Sequence, residues 1–176
     1  MIRTTYTNIV ILLIAFLSIA SQGSNREYKV KAAFLFNLAQ FVEWPTNILP
    51  ESGSPLVIGI LGENPFGSYL EEIVSGENVN GHPLQVKHCQ TVEEATTCQI
   101  IFINLPETNK MKEAITALKG RSILTVSDKD NFIREGGMVE LIKKVNKIGL
   151  VISTQSTKED NLIISSKLLQ IAQLAH

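Results

Sequence analysis

The chain predicts an α/β fold, a single domain with a mostly parallel sheet, helices on both faces and an antiparallel hairpin at one edge. Three observations carry this. Continuous apolar runs of strand length, LVIGILG, QIIFINL and SILTVS, alternate with helical segments. The runs lack the polar alternation of a half-exposed strand, so both sheet faces need cover. Turn formers such as Asn80-Gly81, Pro106 and Gly120 punctuate the junctions, a pattern that favours strands covered by helices over an all-β sandwich.

The first element is VKAAFLFNLAQFVEWP, Val30 to Pro45. Val30, Phe34, Leu38 and Phe41 form one helical stripe, and Ala32, Leu35, Phe36, Ala39 and Val42 a second. Only Lys31, Asn37, Gln40 and Glu43 dilute them. A helix apolar on more than one side is either a central core helix or one that offers a stripe to a second molecule. Leu56 to Gly62 reads as a strand buried on both faces, followed by the turn ENPFG and a helix from Phe66 to Val74. Asn80-Gly81 is a tight turn before a strand from Leu84 to His88. A short helical stretch, Thr91 to Thr96, precedes the strand Gln99 to Leu105. Glu107 to Lys119 is helical through Met111, Ile115 and Leu118, and Gly120 stops it. Ser122 to Ser127 is the next strand. Beyond the polar turn Asp128 to Asn131, Met138 to Ile142 and Ile148 to Ser153 read as strands joined by a turn over Lys144 to Lys147. Asn161 to Leu174 reads as an amphipathic helix with Leu162, Leu168, Leu169 and Ile171 inward.

Met1 to Gln22 has a positive start at Arg3, an apolar run from Ile9 to Ile19 and small residues at Ser18-Ile19-Ala20. This is the pattern of a secretory signal peptide, with cleavage near the Ala20-Ser21 bond. The run is shorter than the ~20 apolar residues of a membrane helix. The expectation is an exported protein without membrane insertion after cleavage. The remaining ~155 residues suit one domain with its own core. A formal net charge of −1 with Lys and Glu interspersed argues against a nucleic-acid surface, which needs a basic face.

The inventory of chemistry is thin. Cys89 and Cys98 are the two cysteines, and an oxidising compartment favours their pairing. Against it, six helical residues between them rise ~9 Å, whereas bridged Cα atoms lie within ~7 Å. A looser connection removes the objection, and the alternative is a buried reduced thiol at Cys98. His82, His88 and His176 show no metal-ligand spacing around these thiols, and His82 and His88 read as exposed. Neither a metal nor a cofactor is expected. GENPFG, Gly62 to Gly67, has no lysine of a phosphate loop and no GxGxxG spacing. Ser127-Asp128 lacks a partnering histidine and a GxSxG elbow and reads as a helix N-cap. Glu93-Glu94 are first-turn helix acids. Gly136-Gly137 reads as a bulge opening a strand, or as a close backbone approach to a partner. Binding and regulation become the leading class, and no enzyme activity is expected.

VKAAFLFNLAQFVEWP after a signal peptide, IGILGENPFG at 58 to 67, CQIIFI at 98 to 103, SILTVSDKDNFIREGGMVEL at 122 to 141 and LIISSKLLQIA at 162 to 172 together resemble the YfiR/HmsC-like family of periplasmic proteins. The resemblance spans nearly the whole exported chain, with residues 26 to 176 as one YfiR-like domain. It implies a non-enzymatic periplasmic regulator, often dimeric, that restrains a membrane-bound diguanylate cyclase or sensor by binding its periplasmic domain, lowering cyclic di-GMP output and biofilm formation. Disulfides described in the family lie near the strand corresponding to Ile58 to Leu61 and around the GGM segment, where this chain has no cysteine. Cys98 falls where family members commonly carry one. On this reading Phe34, Phe36, Phe41 and Trp44 are the candidate partner or dimer surface. The alternative is a small-ligand-binding accessory protein, with a crevice at Asn64, Phe66, Ser127, Asp128, Gly136 and Gly137.

Overall fold

The computed structural model describes residues 26–49, 53–145 and 147–175. The expected signal peptide lies outside the described residues. The elements are α1 (26–41), β1 (Val42–Glu43), β2 (Leu56–Gly62), α2 (Tyr69–Val74), β3 (Asn78–Val79), β4 (His82–Cys89), α3 (Val92–Ala95) and β5 (Ile100–Asn104). They continue with α4 (Thr108–Leu118), β6 (Leu124–Ser127), β7 (Val139–Lys144), β8 (Lys147–Ser153), α5 (Thr154–Glu159), β9 (Ile163–Ile164), α6 (Ser166–Ile171) and β10 (Gln173–Ala175).

Eight strands form one sheet in the order β10-β8-β7-β6-β5-β2-β4-β3. The neighbours from β7 through β4 are parallel, as are β8 and β10, whereas β7–β8 and β3–β4 are antiparallel hairpins. The predicted hairpin is therefore present, but β10 lies outside it, so it sits one strand in from the edge. The β3–β4 turn uses Asn80 and Gly81, both at positive φ, as a two-residue hairpin loop requires.

Alternate residues of the central strands feed two cores. Ile100 and Phe102 of β5 face a cluster with Ala32, Leu35, Leu38, Ala39, Val42, Ile58, Ile60 and Leu70. Ile101 and Ile103 face another with Met111, Ala114, Ile115, Leu118, Cys89, Cys98 and Phe132. Thus α1 and α2 cover one face and α3 and α4 the other, which is why the strands read as unbroken apolar runs.

On α1 the stripe Ala32, Leu35, Leu38, Ala39 and Val42 is the core face. Val30 is exposed, and Phe34, Phe36 and Phe41 are half-buried. The helix ends before the predicted Trp44-Pro45 because Val42 and Glu43 pair antiparallel with Ile164 and Ile163. Proline also disfavours helical backbone in the residue before it.

The C-terminal segment differs from the predicted single helix. Ile163-Ile164 is drawn into β9, the Ser165 side chain accepts from Lys167 N to start α6, and Gln173–Ala175 adds to β8. Leu162 and Leu168 point inward as expected, whereas Ile171 is 72% exposed. Strand pairing with β1 and β8 outweighs a weak local helical preference.

Candidate docking face

The sheet order reverses between β2 and β5, where open α/β sheets usually bind ligands beyond the strand ends. Here hydrogen bonds bridge the two strand ends. Glu63 N donates to the Asn104 carbonyl at 3.3 Å, and Asn104 Nδ2 donates to the Glu63 carbonyl at 2.9 Å. Gly62 is needed at this junction, because its φ is +97° and a Cβ there would collide with the Asn104 carbonyl oxygen.

The first turns of α1 cover the neighbouring strand ends. Lys31 is 4% exposed, and its Nζ lies 2.6 Å from Glu27 Oε1, 2.7 Å from Asp128 Oδ2 and 4.5 Å from the Tyr28 ring centre. Glu27 Oε2 also pairs with Lys143 at 2.6 Å. Hydrogen bonds from Lys143 and then Lys31 hold the Glu27 carboxyl below its usual range. Burial first, then the charge and hydrogen bond of Asp128, push the Tyr28 hydroxyl up to about 12. In the sequence Lys31 reads only as a polar interruption. Its spacing onto the Ala32-Leu35 side is the available sign that it faces inward.

The expected crevice residues are each held by local contacts of their own. Asn64 Oδ1 accepts from Phe66 N and Nδ2 donates to the Gly67 carbonyl, so its side chain shapes its own turn. That turn delays the start of α2 and seats Phe66 in the core, edge-on to Phe102 at 4.8 Å and to Tyr28 at 5.8 Å. Ser127 is buried. It donates to the Ile103 carbonyl and accepts from Lys129 N, and turns rather than the expected helix follow it. Gly136, at φ +96°, lines a separate cavity of about 320 Å³ with Ile115, Thr125 and Asp160. Gly137 is the flat seat of the Phe132 ring, since a Cβ there would collide with the ring. His82, expected at the surface, is buried with Nδ1 2.9 Å from the Ser54 carbonyl, whereas His88 is exposed beside Glu71.

Cys89 and Cys98 are buried free thiols with their Sγ atoms 3.9 Å apart. The distance objection fails because α3 is only Val92–Ala95 and the chain turns back immediately after it. Burial pushes the Cys98 thiol up to about 12 and raises Cys89 as well. Among the described residues no cluster of three His, Cys, Asp or Glu side chains forms a metal site.

The expected partner aromatics separate along α1. Phe41 and Trp44 belong to the end that meets β9 and β5. The Phe41 carbonyl accepts from Ser165 N, and Trp44 Nε1 donates to the Gln99 carbonyl at 3.2 Å. Phe36 packs half-buried against the core. Phe34 instead joins Val30, Arg26 and Glu27 in a groove of about 690 Å³ whose other wall is the β7–β8 turn, with Lys143, Lys144, Val145, Lys147 and Ile148. Val145 is 98% exposed and Val30 is 41% exposed, so apolar surface is left uncovered there.

A mostly parallel sheet covered on both faces, with its switch-point strand ends bridged by hydrogen bonds and an apolar groove left open, defines a single α/β domain. The chain belongs to the YfiR/HmsC-like family, whose model matches residues 28–173. The family is a regulatory one. No curated protein matches the chain. Among solved structures it resembles a conserved domain protein from Vibrio cholerae O1 biovar El Tor, with a TM-score of 0.50 and 12% identity over 74% of this chain and 57% of that one. The chain thus spans little more than half the length of that relative, and the likeness is one of fold. Among the described residues no helix is long and apolar enough to cross a membrane.

Proposed function

We propose that this protein is a non-enzymatic periplasmic regulator that restrains a membrane-bound diguanylate cyclase or sensor by binding its periplasmic domain. The observation that carries the reading is the uncovered apolar groove of Val30, Phe34, Val145 and Ile148. Regulation follows from linkage. A protein that binds the inactive receptor more tightly than the active one holds output down, and anything that competes for it releases the receptor. The leader-like start of the chain supports export, and a homodimer would present the groove twice.

The test is genetic. Deleting the gene raises cellular cyclic di-GMP, and a plasmid copy lowers it again. A copy carrying Phe34→Ser, checked for unchanged thermal unfolding, restores less. Unchanged cyclic di-GMP on deletion overturns the reading.

A further inference from the structure

The groove carries a charge imbalance that defines what fits it. Arg26, Lys143, Lys144 and Lys147 line it against a single acid, Glu27, on a chain whose formal net charge is −1. Glu27 is already satisfied by Lys31 and Lys143. Arg26, Lys144 and Lys147 have no side-chain partner among the described residues. Cations that remain unpaired around an apolar floor favour an occupant with apolar residues on one side and carboxylates on its flanks. We propose that the groove between α1 and the β7–β8 turn binds an acidic amphipathic segment of another protein, its apolar side on Val30, Phe34 and Ile148 and its carboxylates toward Lys144, Lys147 and Arg26.

The chain does not supply this occupant from its own start. Residues 1–25 contain no Asp or Glu. A bilayer is the less suitable partner, because Val30 and Phe34 form one wall of a concave groove while Val145 alone projects fully. A flat lipid surface reaches the tip and not the floor. The inference rests on the regulator reading and names the chemistry of the receptor segment.

The experiment uses purified protein and three probes. The first is a helical peptide with leucines on one face and glutamates on its flanks, the second its twin with lysines for the glutamates, and the third vesicles of phosphatidylglycerol and phosphatidylethanolamine. The acidic peptide binds saturably, and added salt weakens it. Lys144→Glu with Lys147→Glu weakens it by about tenfold, as two reversed rim charges should. Val145→Ser, at an exposed position that cannot unfold the core, weakens it less. Equal binding of both peptides, binding of neither, or preference for the vesicles overturns the proposal. The genetic test of regulation is independent. If deletion raises cyclic di-GMP but the acidic peptide does not bind, the regulator reading stands and the partner chemistry is wrong. If the peptide binds and deletion changes nothing, the reverse holds.

Discussion

Lys31 Nζ lies 2.7 Å from Asp128 Oδ2, joining residues 97 apart in the chain with both side chains more than nine-tenths buried. The pair ties the first helix to the end of β6.

Breaking this pair is asymmetric. Lys31→Met leaves the Asp128 carboxylate buried without a cation and is expected to cost about 3–5 kcal/mol. Asp128→Asn leaves Lys31 with Glu27 and is expected to cost less. Urea unfolding of the two variants measures the difference, and equal losses would contradict the geometry.

The same cluster sets two pH limbs. Glu27 is held below its ordinary 4.5, so its contribution is present above that value and is lost as pH falls through the depressed pKa. Tyr28 is raised from 10.0 to about 12, so its contribution is complete below pH 10 and disappears between pH 10 and about 12. Comparing unfolding of Tyr28→Phe with the parent across that alkaline window should show a shallower decline in the variant. Parallel curves would exclude Tyr28 as the cause.

Cys89 and Cys98 are neighbours whose thiols burial keeps protonated. Because the thiolate is the nucleophile, protein folded under reducing conditions should resist iodoacetamide until it is unfolded. Protein recovered from an oxidising compartment should carry the bond, formed while both thiols are accessible during folding, and its reduction should cost about 2–3 kcal/mol for so short a loop. Identical melting with and without reductant would rule the bridge out.

Gly137→Ala tests the seat of Phe132. A methyl group there runs into the fully buried ring, and overpacking of this kind costs about 1–3 kcal/mol. Adding Phe132→Leu to the Gly137→Ala variant should recover part of the loss, which a simple bulge would not predict.

Much of the fold is legible in the sequence. LVIGILG and QIIFINL announce strands covered on both faces because neither contains a central polar position that would tolerate water. The C-terminal region is not legible in this way, since Asn161 to Leu174 has helical periodicity while Ile163-Ile164 answers to Val42-Glu43 far away in the chain. The candidate site is legible only in part. Phe34 stands out on its stripe, but Lys144, Val145 and Lys147 look like an ordinary turn until the hairpin is placed beside α1.

The sequence by itself determined the α/β class, the order of the main elements and the family, because local apolar runs and turn residues are properties of neighbouring positions. Tertiary structure decided which stripe of α1 is core, that Lys31 is buried, that the two thiols meet and that Glu63 and Asn104 bridge the β2 and β5 ends. Each of these depends on contacts between residues distant in the chain, and a burial or an ion pair has no energy until both partners are in place.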